Sequence, residues 1–169
     1  MKDLSSSSAE NQSKLTNCLL FSVGQETCGV PISEVMKVAD FERLNRIPRF
    51  PREVLGITHH RGRVITVLSL SEMLTNEPDN GARDFGEISG NGYNKLIIFS
   101  REPRNIGILA DHVLGTAHLS PVVQKTLLRP AFSPGSYEGK IIQQLKVDWI
   151  HEYVGRLEPQ SQNEIEPVF

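Results

Sequence analysis

The chain repeats itself, and the repeat limits what it can fold into. Leu20-Phe21-Ser22 is followed by Gly29-Val30-Pro31-Ile32 and then Val35-Met36. Ile98-Phe99-Ser100 is followed by Gly107-Ile108-Leu109-Ala110 and then Val113-Leu114. Phe99 stands 78 positions after Phe21, and Gly107 stands 78 after Gly29. Both copies end alike: Val64 to Leu70 runs into Ser71-Glu72-Met73-Leu74, and Ile141 to Val147 runs into Asp148 to Val154. At 169 residues, the copies make one ordinary domain or two small halves sharing a core. A duplication without a reactive cluster in either copy points to a chain that presents surfaces, and two halves can hold two partners.

Composition narrows the class. The hydrophobic fraction is 38% and the formal net charge −2, which describes a globular chain. A near-neutral balance gives no electrostatic case for nucleic acid or an anionic membrane. No apolar run approaches the roughly 20 residues of a spanning helix, and no secretory signal is visible, so a cytoplasmic location is expected. Met1 to Thr16 is Ser-rich and reads as a disordered tail, and 156–169 as a polar one. The domain is expected over 17–155, with halves at about 17–75 and 94–155. Between them, 76–93 carries Pro78, Gly81, Gly86 and Gly90 and reads as a connector.

Short punctuated segments predict strands. Lys14 to Val23 and Thr27 to Ile32 read as a hairpin about Gly24-Gln25-Glu26. Ser33 reads as the N-cap of a short helix, Glu34 to Val38. Glu53 to His59 and Arg63 to Leu70 read as strands about Arg61-Gly62, the second buried on both sides. Ser69 and Glu72 form a capping-box pattern for a helix ending at Leu74. In the second copy, Asn94 to Ser100 and Arg104 to Ala110 form a hairpin. Asp111 to Gly115 reads as a helical turn or bend, Thr116 to Leu119 as a strand, and Pro121 to Gly139 stays unassigned. Lys140 to Val147 is a strand, with Asp148 capping a last helix, Trp149 to Val154. Without long amphipathic helices between the strands, the pattern favours an all-β fold with short helices, in antiparallel sheets curling into small barrels.

Chemistry is sparse. His59-His60 is the most tempting pair, but adjacent strand residues point to opposite faces, and no other ligand pair stands at metal spacing. Cys18 and Cys28 lie in apolar segments, where they act as small hydrophobes or face each other across the hairpin. No nucleophile elbow or phosphate-cradling glycine loop is present, so no enzyme activity, cofactor or metal is expected. Arg61 stands out: a guanidinium on a fixed turn suits a carboxylate, either a partner's or an internal one such as Glu34. Val35, Met36 and Val38, with Val113 and Leu114, either line a groove between the halves or seal the seam.

These residues resemble the CheW-like domain family. The resemblance covers Leu19 to Val154 and rests on Gly29 to Val35, Arg46-Ile47-Pro48, Gly56 to Leu70 and Ile106 to Gly115. It implies two five-stranded SH3-like β-barrel subdomains packed on a shared core. It also implies a scaffold without catalysis, linking a chemoreceptor's cytoplasmic tip to the regulatory domain of a histidine kinase, with the tip in the groove between the barrels. By family position, Val35, Gly56, Arg61, Ile108 and Val113 are implied partner contacts. The sequence departs from the family at Ser69, where an aspartate is usual, at His59-His60, and at Lys37, which replaces an acid. The alternative from another class is a sensory module binding a small ligand between the barrels.

Overall fold

The computed structural model describes residues 14–74, 95–122 and 130–157. The expected connector lies outside the described residues, as do 1–13, 158–169 and the 123–129 part of the unassigned stretch. The first copy forms β1 (Thr16–Val23), β2 (Glu26–Pro31), a 3₁₀ turn (Ile32–Glu34), β3 (Val35–Asp40), β4 (Val54–His60), β5 (Arg63–Leu68) and helix α1 (Leu70–Leu74). The second forms β6 (Lys95–Phe99), β7 (Ile106–Ala110), β8 (His112–Pro121), β9 (Phe132–Tyr137), β10 (Lys140–Leu145) and helix α2 (Val147–Leu157). The repeat is therefore structural: each copy supplies five strands and a closing helix.

The copies do not fold as the two contiguous halves read from the sequence. One sheet is a closed barrel in the order β1-β2-β10-β9-β8, and the other runs β3-β6-β7-β5-β4. Each hairpin has crossed into the other copy's sheet. Val35 pairs with Phe99 and, 78 positions on, Val113 pairs with Phe21. Within each sheet the two copies are also joined alike, by parallel pairing of β5 with β7 in one and of β10 with β2 in the other.

Alternation along the hairpins explains the exchange. In β1, Cys18 and Leu20 point into the closed barrel with Ala117, Leu119 and Ile142, while Phe21 and Val23 point into the space between the sheets. In β6, Leu96 and Ile98 join Ile65, Val67 and Leu109 inside the second sheet, while Ile97 and Phe99 point between the sheets. The hairpins are thus apolar on both faces. Phe21 and Phe99 meet Ile106, Ile108, Leu145 and Ile150 in one shared core. Burying each such ring contributes about 1.5–3 kcal/mol. Gly29 and Gly107 occupy matching inner positions; a Cβ at Gly107 would come 3.0 Å from Leu96 Cδ1, and one at Gly29 3.2 Å from Leu119 Cδ1.

Several local expectations are corrected. Glu34 to Val38 is not a helix and Ser33 does not cap one: after a single 3₁₀ turn the chain enters β3. β-Branched Val35 and Val38 suit a strand, and β6 needs a partner on that edge. Asp111 to Gly115 is no helical turn; residues from His112 onward belong to β8, which shifts register opposite Leu20/Phe21 and carries Gly115 at φ 122°. Asp111 instead accepts a hydrogen bond from the Gly24 amide at 2.7 Å. Cys18 and Cys28 are buried and form no disulfide with each other, since they are not opposed: Cys18 pairs with Pro31 and Cys28 with Phe21. Burial pushes the Cys18 thiol up to about 11. β5 is not buried on both sides throughout, because Val64 is exposed. Of the expected capping box only half forms: the Glu72 amide approaches Ser69 Oγ at 3.4 Å, while the Glu72 carboxylate turns to Arg52 at 3.3 Å. Asp148 lies inside the first turn of α2 rather than capping it. Trp149 stacks on Tyr153 at 5.0 Å, and the Tyr153 hydroxyl donates to Glu53 at 3.2 Å, tying α2 to the segment before β4.

Candidate functional site

Arg61 occupies a tight two-residue turn between β4 and β5, flanked by the His60–Arg63 pair. Its φ is 49° and that of Gly62 is 76°. Two left-handed residues in succession are the signature of a type I′ hairpin, whose twist matches the strands it joins. A left-handed arginine costs roughly 1–2 kcal/mol relative to glycine or asparagine. The guanidinium is exposed, and among the described residues no carboxylate pairs with it. Glu34, the internal acid considered for Arg61, is held instead by Arg101 in a bidentate contact at 2.8 and 2.7 Å. Arg101 also pairs with Asp148, so the loop after β6 clamps the 3₁₀ turn to α2.

The turn borders a groove. The second sheet leaves β3 and β4 at its two edges without pairing them. A groove of about 630 Å³ lies in that seam, lined by residues from Lys37 to Arg43, from Thr58 to Arg61, and by Asn45, Lys95 and Leu96. One wall depends on Gly56. There φ is +149°, and a Cβ would fall 2.1 Å from Asn45 O. That close approach permits the reciprocal 2.8 Å hydrogen bonds between Asn45 and Ile57, and Thr58 Oγ1 donates to Arg43 O at 2.9 Å. On the β3 wall, Lys95 Nζ of the neighbouring strand β6 meets Asp40 at 2.5 Å, and this hydrogen bond holds the Asp40 carboxyl below its usual range.

The five residues taken from the family pattern do not form one surface. Arg61 lines the groove. Gly56 is buried beside it and serves backbone approach. Ile108 is 0% exposed in the shared core, where it has no surface to offer a partner. Val35 is half-buried against that core at the start of β3, and Val113 is half-buried at the matching place in β8. The space between the sheets, where the alternative reading put a ligand, is filled by the shared core. His59 and His60 both border the groove; His59 is exposed, and His60 Nε2 is buried without a hydrogen-bond partner. Among the described residues no group of three His, Cys, Asp or Glu is placed to hold a metal. Likewise, no described helix is long and apolar enough to cross a membrane.

Sequence reasoning missed Arg43 and Lys95 and noted Lys37 only as a departure from pattern. Their convergence depends on the Asp40–Lys95 register and on the course of 41–46, which no local spacing reveals. The one available signal was Gly56 inside an apolar strand, which marks a close backbone approach.

Three comparisons bear on this fold and site. The sequence matches the family described as the CheW-like domain over residues 17–139. It is 33% identical over 95 residues to "Protein FrzA" of Myxococcus xanthus, a stretch covering 56% of this chain and 54% of that protein, so the chain spans about half the length of this curated relative. The fold is similar to that in the crystal structure of scaffolding protein TtCheW from Thermoanaerobacter tengcongensis, with a TM-score of 0.61 at 20% identity, covering 82% of this chain and 88% of that one. With the family match extending over most of the chain and the mostly β architecture in agreement, the chain belongs to the CheW-like domain family.

Proposed function

We propose that the chain is a non-catalytic cytoplasmic adaptor that couples the cytoplasmic tips of chemoreceptors to the regulatory domain of a histidine kinase. The observation that carries the reading is Arg61: an exposed guanidinium, without a carboxylate partner among the described residues, held in a left-handed turn of a family scaffold. A strained residue with no internal partner suits recognition rather than folding. The mechanism is simultaneous occupancy. Holding receptor and kinase on one rigid body raises their effective concentration, and receptor state passes on through differential affinity.

The test is co-sedimentation of the chain and the kinase with receptor-bearing membranes. The wild-type chain brings the kinase down, and Arg61→Glu lowers that capture by about a hundredfold with an unchanged melting curve, because like-charge placement at an interface costs several kcal/mol. Wild-type capture by the variant removes Arg61 from the interface. Failure of the wild-type chain to bind either protein ends the adaptor reading.

A further inference from the structure

The seam between β3 and β4 presents two unpaired sheet edges facing one another across a polar groove, and nothing in the family assignment accounts for it. The alternation of the strand shows which groups are free. Ile57 turns its amide and carbonyl away from β5 to bond Asn45 at 2.8 Å in both directions. His59, two residues on, turns the same way, and beyond Asn45 no strand lies there to receive it. On the facing edge, alternate residues of Lys37 to Asp40 point away from β6. The groove's charge opposes that of the chain. Lys37, Arg43, Arg61 and Lys95 outnumber Asp40 and Glu42, in a protein of net charge −2. Among the described residues only Lys95 of the four has a carboxylate partner, Asp40. The volume of about 630 Å³ fits a short chain segment.

We infer that this seam binds an extended acidic peptide segment of a protein partner, which adds to the free β4 edge at His59 and places its carboxylates against Lys37, Arg43 and Arg61. A strand added at an edge takes affinity from main-chain hydrogen bonds and specificity from its alternate side chains. Unpaired edges on both walls favour a peptide over a simple anion, because an anion engages the cations and leaves the edges bare. The seam shares Arg61 with the adaptor reading, but the test uses neither receptor nor kinase, and its charge variants are at Lys37 and Arg43, so failure of one reading is distinguishable from failure of the other.

The probe is a fluorescein-labelled peptide of alternating Glu and Val, about eight residues long, an ordinary strand length. It is titrated into the full chain by fluorescence anisotropy. Competitors are the same peptide N-methylated at alternate amides, a Lys-for-Glu version, and inorganic phosphate. The acidic peptide binds and slows hydrogen exchange at the His59 amide. N-methylation weakens binding by about tenfold or more, since the ladder is lost at equal charge. Lys37→Glu with Arg43→Glu weakens it similarly. Arg43 is exposed, so Arg43→Glu alone carries the charge arm if the double variant loses its fold. Equal binding of the N-methylated peptide, or equal competition by phosphate, reduces the seam to an anion site and overturns the inference. Equal binding of the Lys peptide overturns it too. Absence of binding also overturns it, and leaves the cations as guards against edge-to-edge association.

Discussion

The two sheets come from the same repeat, yet one closes and the other does not. In the closed barrel, the long strand β8 pairs first with β1 and then, at Ser120 and Pro121, with Ser136 and Gly135 of β9. Its counterpart β3 stops at Asp40, and 41–53 touches the sheet again through the isolated Asn45–Ile57 bridge to β4, with Pro48 and Pro51 in its path. Residues 78 positions after Lys37, Asp40 and Arg43 are Gly115, His118 and Pro121, so the charges that line the open seam have no counterparts in the closed one. Among the described residues, closure at this seam takes two residue pairs and a hydrogen bond from the Val122 amide to Pro134 O, while the shared core holds both sheets together. The seam is therefore the part of a duplicated fold most free to diverge, and divergence there leaves a polar groove in the open sheet.

The largest effects test the part the two sheets share. Phe21→Ala and Phe99→Ala, at matching places in β1 and β6, each cost about 3–5 kcal/mol in urea unfolding. Both variants unfold in one transition, followed equally by Trp149 fluorescence and far-UV circular dichroism, because both rings sit in one core. Two separated transitions in either variant break the claim of a common core. Gly56→Ala comes next, at about 3 kcal/mol, since its φ suits only glycine and the added Cβ collides with Asn45. Gly135, in the closed barrel, meets only Leu119 and Gln144 side chains and has no positive φ, so Gly135→Ala is milder. Equal losses at the two sites remove the special role of the Gly56 approach.

How legible this was follows from where the information lies. The repeat is written in apolar residues at constant spacing, so the hairpins, the strands flanking Arg61-Gly62 and the last helix could be read directly. The exchange of hairpins could not, because both faces of β6 and β7 are apolar and periodicity does not say which sheet each face serves. The start of β3 reads as a helix in the sequence because Ser33 followed by Glu34 carries a capping signal, while the competing demand of the β6 edge is non-local. Arg61 was legible as a turn residue. Ile108 was drawn from pattern alone, and its burial depends on tertiary packing. The groove was invisible because Arg43, His59 and Lys95 converge only after three strands have found their register.

The turns of the two sheets sharpen the comparison at smaller scale. Glu138 and Gly139, with φ 50° and 74°, repeat the geometry of Arg61 and Gly62 almost to the degree. The charge is reversed, and Glu138 takes a hydrogen bond from Tyr137 that holds the phenol above its ordinary range. Asparagine tolerates the left-handed region, so Arg61→Asn and Glu138→Asn each stabilise the fold by up to about 1 kcal/mol. Urea midpoints measure that gain. Only Arg61→Asn weakens capture of kinase and receptor; equal weakening by both assigns recognition to turn shape rather than to charge.

The smallest effect separates the two closing helices. Leu74 is buried at the end of α1, and 77 positions on α2 carries His151. Burial lowers the His151 pKa first, Arg101 and Arg104 lower it further, and Glu34 and Asp148 pull the other way. Its Nε2 is buried without a hydrogen-bond partner. With the folded value below the unfolded one, the unfolded chain takes up the proton first as pH falls. The stability that depends on the neutral ring is complete above the ordinary histidine range and is lost as pH drops through that range toward the folded value. The urea midpoint therefore declines between about pH 7.5 and pH 5.5, a window in which the imidazole is the main side chain to titrate. His151→Leu, which copies the residue in α1, flattens that part of the decline. The other four histidines are common to both proteins, so the difference between the two slopes isolates this ring. Identical slopes place the pH dependence elsewhere and leave the helices alike in this respect.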